Sequence, residues 1–494
     1  MIFPELEEFK AIANGEKDGR RYGRITIYRE VAGDTFTPIA LLRNFSNEKH
    51  IFLLESANLD KSFSRYSFFG RKPKRTVLFR KGKIVEEKNG KKTEIMMNPM
   101  DYLGKEFAGN EGYNDGHFGD FAGGFVGFFG YESANYMGFL RSRLKEPEDE
   151  NLIGFFEAEE FYVFDNHLGR LYAACSVNPG DNPEEAYEKG INRTAKMAGE
   201  VHGMNFDMHE SKLTDPEPEY TPDEYMGYVN KLKGDITDGE AIQVVFSNKH
   251  EVHGKVNPVN FYRALRNVNP SPYMFFLKFG DEVLCGSSPE IHLKILERKA
   301  TLKPIAGTYP INGNPEKACQ DLLKDPKELA EHLMLLDLAR NDLYAGCTPE
   351  SVEVTQEFQA EVYSHVVHIV STVEGELVEG NEPLDVFMKT FPAGTVSGAP
   401  KVRAMELINE YEKSPRGFYA GCVGYFGYSG NIDTCITIRS AMIKKDKLIL
   451  RAGGGIVYDS SPEGELAEVR NKLNALFTAC DRLKNLEGKN VFAG

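Results

Sequence analysis

The sequence predicts an α+β protein made mostly of antiparallel strands, and three observations carry that prediction. From about Arg24 to Ala174 the chain is a succession of short alternating or aromatic-rich runs ended by Gly, Asn or Asp, the pattern of hairpins. Strand-like and helix-like stretches do not alternate regularly, as they would in a doubly wound parallel sheet. The clearest helical pattern, Asp325–Leu343, stands alone between strand-like segments.

In chain order, RITIYREV (Arg24–Val31), HIFLLES (His50–Ser56), RYSFFGR (Arg65–Arg71), TVLFRKGKIVEE (Thr76–Glu87), GGFVGFFGYE (Gly123–Glu132) and FYVFDNHLGRLYAACSV (Phe161–Val177) read as strands and hairpins. Asn182–Val201 reads as a helix. The polar, proline-bearing stretch after it marks a boundary, so the chain divides into a sheet-rich region over 1–205, a linker over 206–220, a second domain over 221–485 and a tail over 486–494. The second domain opens on a helix capped by Thr221 and continues with strands in AIQVVFSNKHEV, PYMFFLKFG, EVLCGSSPEIHLKIL and KATLKPIAGTYP. After the helix at Asp325 come a strand-like EVYSHVVHIVSTVEGEL, a helix in PKVRAMELINEYEK and Gly/Asn-punctuated strands over Gly417–Ser461. A last helix follows in AEVRNKLNALFTA.

The chain has 494 residues and a net charge of −15, from 59 basic and 74 acidic side chains. That length buries a large core, and that charge argues against a nucleic-acid or anionic-membrane surface. No apolar run approaches a membrane span, and the first residues do not form a signal peptide, so a cytoplasmic protein is expected. Seven scattered cysteines without a CxxC are expected to be reduced thiols.

Within the helix at Asp325, Glu328 and Glu331 are three residues apart, share one face and lie near the positive end of the helix dipole. Such a pair alone is ordinarily a solvated face. Glu465 and Glu468 repeat the spacing near the last helix, beside Glu463, and four carboxylates from distant segments suit a hard cation such as Mg²⁺ if the fold joins them. Neither GxxxxGK[ST] nor a dinucleotide fingerprint occurs, and Gly453–Gly455 suggests instead a backbone close to an anion, or a plain turn. Arg439 and Lys472 can neutralise carboxylates. His365 and His368 share a strand-like run on opposite faces, so at most one faces a given pocket. Glu290 sits in a turn between apolar runs, where partial burial would raise its pKa toward general-acid duty, although a turn carboxylate ordinarily has no such role.

These residues fall within longer motifs: PIAGT (Pro304–Thr308), KELAEHLMLLDLARNDL (Lys327–Leu343), FPAGTVSGAPKVRAMELI (Phe391–Ile408), GYF with DTCITIRSA, GGG (Gly453–Gly455) and AEVRNK (Ala467–Lys472). In this order they resemble the chorismate-utilising enzymes, and among them the large subunits, component I, of anthranilate synthases. LLES (Leu53–Ser56) and RYSFFG resemble the N-terminal domain of the same enzymes, so the likeness spans nearly the whole chain.

The resemblance implies two packed antiparallel sheets with helices outside, the N-terminal region interleaved with the chorismate domain. It implies Mg²⁺ held by Glu331 and Glu468 with Glu328 and Glu465 in support, and chorismate contacting Gly307, Thr308, Tyr419, Arg439, Gly453, Gly454, Gly455 and Lys472. Glu290 is the implied general acid and His368 the implied catalytic histidine. Ala306 stands where aminodeoxychorismate synthases typically carry a nucleophilic lysine, and Gln243 where water-adding relatives carry a lysine, so ammonia attacks directly and anthranilate and pyruvate are the implied products. Aminodeoxychorismate synthase component I, an aminodeoxyisochorismate synthase and a tryptophan-binding regulatory protein without catalysis are the alternatives. No cysteine lies in a glutaminase context, which implies a glutamine amidotransferase partner, component II. Ser56 with Pro272, Tyr273 and Met274, in NPSPYM, resembles the pocket in which similar enzymes bind inhibitory tryptophan.

Overall fold

The computed structural model describes residues 1–31, 36–57, 65–109, 111–201, 211–311, 313–362 and 366–487, and only the backbone of Thr308, Pro310, Val366 and residues 484–487. His365 and residues 206–210 of the expected linker lie outside the described residues. The described strands form two antiparallel sheets, one of fourteen strands and one of twelve.

Both sheets are built from both ends of the chain. In the first, strands before residue 205 end in His50–Glu55, which pairs with Tyr273–Phe279 in the register Met274↔Glu55 and Phe275↔Leu54. In the second, Gly124–Phe129 pairs with Cys422–Gly427, Val126 opposite Tyr425. The expected boundary divides the sequence, while the sheets run across it. Lys212–Leu213 and Glu217–Pro218, within the expected linker, pair along Gln243–Lys255.

The period-two alternation of the strands sorts the core into layers. In Tyr273–Phe279, Phe275, Leu277 and Phe279 enter the cluster between the sheets. Met274 and Phe276 face the opposite way, into a second cluster under the helices. The inter-sheet layer is rich in phenylalanine, and Phe156 of one sheet stacks on Phe279 of the other with ring centroids 3.9 Å apart. Each such ring removes about 2–3 kcal/mol worth of apolar surface from water.

Most of the described helices start where the chain places a capping side chain before a proline, since proline at the first helical position loses no hydrogen bond. Asp325 accepts from the amides of Lys327 and Glu328 and opens Pro326–Tyr344. Thr221 and Glu224 form a reciprocal capping box ahead of Pro222–Thr237. The same signal opens Pro258–Val268 after Asn257 and Pro315–Leu322 after Asn314, two helices that the apolar pattern did not single out. The last helix begins earlier than AEVRNK, at Pro462, and so includes Glu463 and Glu465 in its first turn. The run EVYSHVVHIVSTVEGEL holds two strands rather than one: Glu353–Val362 ends inside it, and Val366–Glu376 pairs back antiparallel. Both halves alternate alike, so the periodicity conceals the break. Among the described residues no helix is long and apolar enough to cross a membrane, and all seven cysteines are free thiols.

Candidate active site

Two crossings between the sheets create the site. Strand Glu282–Ser288 belongs to the first sheet and Ile291–Leu296 to the second, so Pro289 and Glu290 lie in the crossing. Strand Ile432–Ile436 and strand Ser440–Lys444 make the reverse crossing, which carries Arg439. The two run side by side, the Ile436 amide donating to the Glu290 carbonyl at 3.0 Å and the Ser287 amide to the Arg439 carbonyl at 3.1 Å. Arg439 holds φ at +48°, a left-handed conformation that costs a non-glycine residue about 1 kcal/mol or more and that persists where the surroundings impose it.

Against these crossings lies a cavity of about 200 Å³ lined by Glu290, Gly307, Glu331, His368, Tyr419, Arg439, Gly453, Gly455, Glu468 and Lys472. Each was singled out in the sequence, and each arrives on a different local device. Helix Pro326–Tyr344 brings Glu331 and is tied to the strand carrying His368 by His332 Nε2 and Ser371 Oγ at 2.7 Å. The last helix brings Glu468 and Lys472 against strand Lys447–Ile456, Lys472 Nζ donating to the Gly453 carbonyl at 2.9 Å and pairing with Glu468 at 2.7 Å. The glycines of that strand are needed for clearance. A Cβ on Gly453 would stand 3.0 Å from the Tyr419 hydroxyl, and one on Gly454 would stand 2.6 Å from Glu465 Oε2.

Gly454 therefore faces Glu465 and not the cavity. Glu465 Oε1 accepts from Ser460 Oγ at 2.6 Å, and its Oε2 is buried with no hydrogen-bond partner. Glu328 stands behind Gly307, whose Cβ would lie 3.0 Å from Glu328 Oε2. The Thr308 side chain lies outside the described residues. The sequence reading did not single out Thr395, Leu335 and Arg451, which also line the cavity. Thr395 lies inside the FPAGT motif, which was the available signal.

Burial pushes the Glu290 carboxyl up to about 7, against the lowering influence of Thr395, Lys472 and Arg439. Near neutrality it holds a proton much of the time, as a general acid requires. Burial lowers His368 below the usual imidazole range, with Arg439 adding to the fall and the Gly307 carbonyl opposing it. His368 Nδ1 lies 2.7 Å from that carbonyl, which can only accept, so the neutral ring carries its proton on Nδ1 and its lone pair on Nε2. Glu331 is raised by burial and then by the nearby Glu328 and Glu468, and Glu465 by burial and by Glu468, with Ser460 opposing. Glu331 and Glu468 thus line the cavity, Glu468 being 48% exposed, and Glu328 and Glu465 stand behind its glycine backbone. Among the described residues no three acidic, histidine or cysteine side chains are drawn into a ready-made cage. An all-oxygen donor set, mutual repulsion and the orphaned Glu465 oxygen fit a hard cation that takes one or two carboxylates and leaves its other positions to water and substrate.

A second cavity, about 390 Å³, lies between the sheets and is lined by Ser56, Pro272, Tyr273 and Met274 together with Glu55, Asp433 and Cys435. It is the larger of the two but holds no acid–base pair of the kind found at Glu290 and His368. The Ser56 hydroxyl is buried without a partner, and Tyr273 donates to Asp433 at 2.9 Å.

The chorismate binding enzyme family matches residues 52–478. Anthranilate synthase component 1 of Acetivibrio thermocellus is 37% identical over 97% of this chain and 99% of its own length, and that of Pseudomonas putida 37% over 93% and 95%. The crystal structure of anthranilate synthase component I from Streptococcus pneumoniae TIGR4 superposes with a TM-score of 0.71 at 32% identity, covering 91% of this chain and 99% of that one. MenF, the menaquinone-specific isochorismate synthase from Escherichia coli, shares the fold with a TM-score of 0.68 at 18% identity over 93% and 95%.

Proposed function

The chain belongs to the chorismate-binding enzymes, and on that premise we propose that it is the component I of an anthranilate synthase, converting chorismate and ammonia to anthranilate, pyruvate and water in the cytoplasm. The observation that carries the reading is the raised, buried Glu290 facing His368, Arg439, Glu331 and Glu468 across one small cavity.

Chorismate carries two carboxylates, a ring hydroxyl and an enolpyruvyl ether. The charged ends of Arg439 and Lys472 orient its carboxylates, Arg439 by a two-pronged fork. Glu331 and Glu468, supported by Glu328 and Glu465, would hold Mg²⁺ at the ring carboxylate. When bound, the ion supplies Lewis-acid polarisation of that carboxylate. Glu290 gives its proton to the departing ring hydroxyl, which leaves as water while ammonia adds to the ring. His368 Nε2 then takes the proton from the carbon that received nitrogen, the ring carbon–oxygen bond of the enolpyruvyl ether breaks as the ring becomes aromatic, and the enolpyruvate released takes up a proton to become pyruvate. Ala306, which is buried, offers no nucleophile, so no covalent adduct with this side chain forms and the aminodeoxychorismate route is the weaker reading.

No cysteine of this chain stands as a glutaminase nucleophile, so ammonia comes from a glutamine amidotransferase partner. The purified chain should release pyruvate from chorismate with ammonium salts and not with glutamine, as followed by coupled pyruvate reduction. Appreciable glutamine-dependent release by the chain alone would refute the partner.

The cavity between the sheets suits tryptophan as feedback inhibitor: the unpartnered Ser56 hydroxyl for the amino acid end and the apolar faces of Pro272, Tyr273 and Met274 for the indole. Strands from both ends of the chain line it, so a ligand that prefers one arrangement shifts the active site with it. Ser56→Phe should fill the pocket, raise the inhibitory tryptophan concentration at least about tenfold and leave uninhibited turnover near the parent's. Equal sensitivity in variant and parent would place the regulatory site elsewhere.

A further inference from the structure

Glu132 is 2% exposed, lies on the short 3-10 helix Tyr131–Tyr136 of the N-terminal region, and touches neither cavity. Its two oxygens accept from consecutive main-chain amides far away in the chain, Oε1 from Arg416 at 2.6 Å and Oε2 from Gly417 at 3.0 Å. The Tyr131 amide donates back to the Gly417 carbonyl at 2.8 Å, so the two segments are stapled in both directions. Gly417 has φ at +60°, a turn that glycine adopts without strain.

The clasped turn has consequences in the catalytic cavity. The Arg416 guanidinium, itself buried, donates to the Val245 carbonyl at 2.6 Å and the Val396 carbonyl at 2.7 Å, residues of two neighbouring segments that line that cavity. It pairs with Glu412 at 2.8 and 3.0 Å, and its plane lies 5.6 Å from the ring of Tyr419, a third lining residue. The Tyr419 amide donates to the Arg416 carbonyl at 3.2 Å. Arg416 therefore holds three lining residues, Val245 and Val396 through its guanidinium and Tyr419 through its carbonyl, and its own main chain is held by Glu132.

A buried carboxylate is costly to place, and two main-chain amides could be satisfied by any neutral acceptor. A carboxyl group presents two separate oxygens, one to each amide, and burial pushes it up to about 8 against the lowering influence of those amides and of Arg451. We infer that Glu132 and Arg416 are positioning residues of the reaction, the N-terminal region supplying through Glu132 the anchor that sets Val245, Val396 and Tyr419 around the substrate. This rests on the chorismate reading of the cavity.

The test compares the full chain with Glu132→Gln, which keeps the side-chain shape and one acceptor but turns an NH2 group toward one of the two amides in place of the second acceptor. Misplacing cavity walls by a fraction of an ångström to an ångström costs up to about a hundredfold. The expected result is a fall of about 30- to 100-fold in kcat/KM for chorismate with ammonium, a magnesium half-activation within about twofold of the parent, and faster amide exchange at Arg416 and Gly417. A purely structural role would lower the fraction folded without changing kcat/KM per folded molecule. If Glu132→Gln does not fold, Arg416→Lys, which keeps the charge beside Glu412 and loses the fork, should show the same kcat/KM loss. A folded variant of either kind with kcat/KM within about threefold of the parent, or failure of both to fold, overturns the inference. A parent that forms no anthranilate counts against the chorismate reading alone, since amide exchange at Arg416 and Gly417 reads the clasp without turnover.

Discussion

Glu331→Gln or Glu468→Gln should each lower anthranilate formation at ordinary magnesium by about a thousandfold, the several kcal/mol that a Lewis acid supplies to the transition state. Both line the cavity, and each raises or is raised by its neighbours in the way carboxylates do when held together without a cation between them. A neutral amide relieves that repulsion, so the metal-free thermal midpoint should stay level or rise. The expected combination is an inactive, well-folded protein whose magnesium requirement has moved out of reach. Near-parental rates in either variant would remove these residues from the metal site.

Glu290→Gln should lose about a hundred- to ten-thousandfold in kcat while keeping the Michaelis constant for chorismate within a few-fold, because glutamine fills the same space and cannot deliver a proton. The parent's pH dependence gives an independent reading. Glu290 acts in its protonated form and its carboxyl is pushed up to about 7, so at a fixed concentration of free ammonia kcat should hold below that pH and fall above it as the proton is lost. His368, held below the usual imidazole range, remains neutral across that limb. The residual activity of Glu290→Gln should not show the alkaline fall. A variant altered only in its Michaelis constant would take the acid role away from Glu290.

Much of the site was legible because long motifs brought their own order, and the fold then explains why those residues meet. Glu290 and Arg439 read in the sequence as a turn acid and an isolated cation, and only the paired crossings between sheets place them side by side. Gly453–Gly455 read as an anion-binding run or a turn. The structure gives each glycine a different duty, Gly454 making room for Glu465 while Gly453 lies under Tyr419. Helix starts were legible at Asp325 and Thr221, where an acceptor precedes proline. Pro258–Val268 and Pro315–Leu322 open on the same signal, which the reading of apolar periods passed over. The sequence divides at the polar stretch after residue 201, yet strand pairing such as Glu55 with Met274 is non-local and leaves no mark on either segment alone. Glu132 illustrates the limit most sharply: a glutamate after a glycine-rich strand carries no sign of the amides it will clasp 284 residues later.

The most direct test is to give the purified chain chorismate and an ammonium salt at pH 7–8 and follow the blue fluorescence of anthranilate, with magnesium and then with excess chelator. Fluorescence should rise with magnesium, stop on chelation and return when the ion is restored, with pyruvate formed in equal amount. Consumption of chorismate into a non-fluorescent amino product without pyruvate, or no consumption at all, would contradict the account.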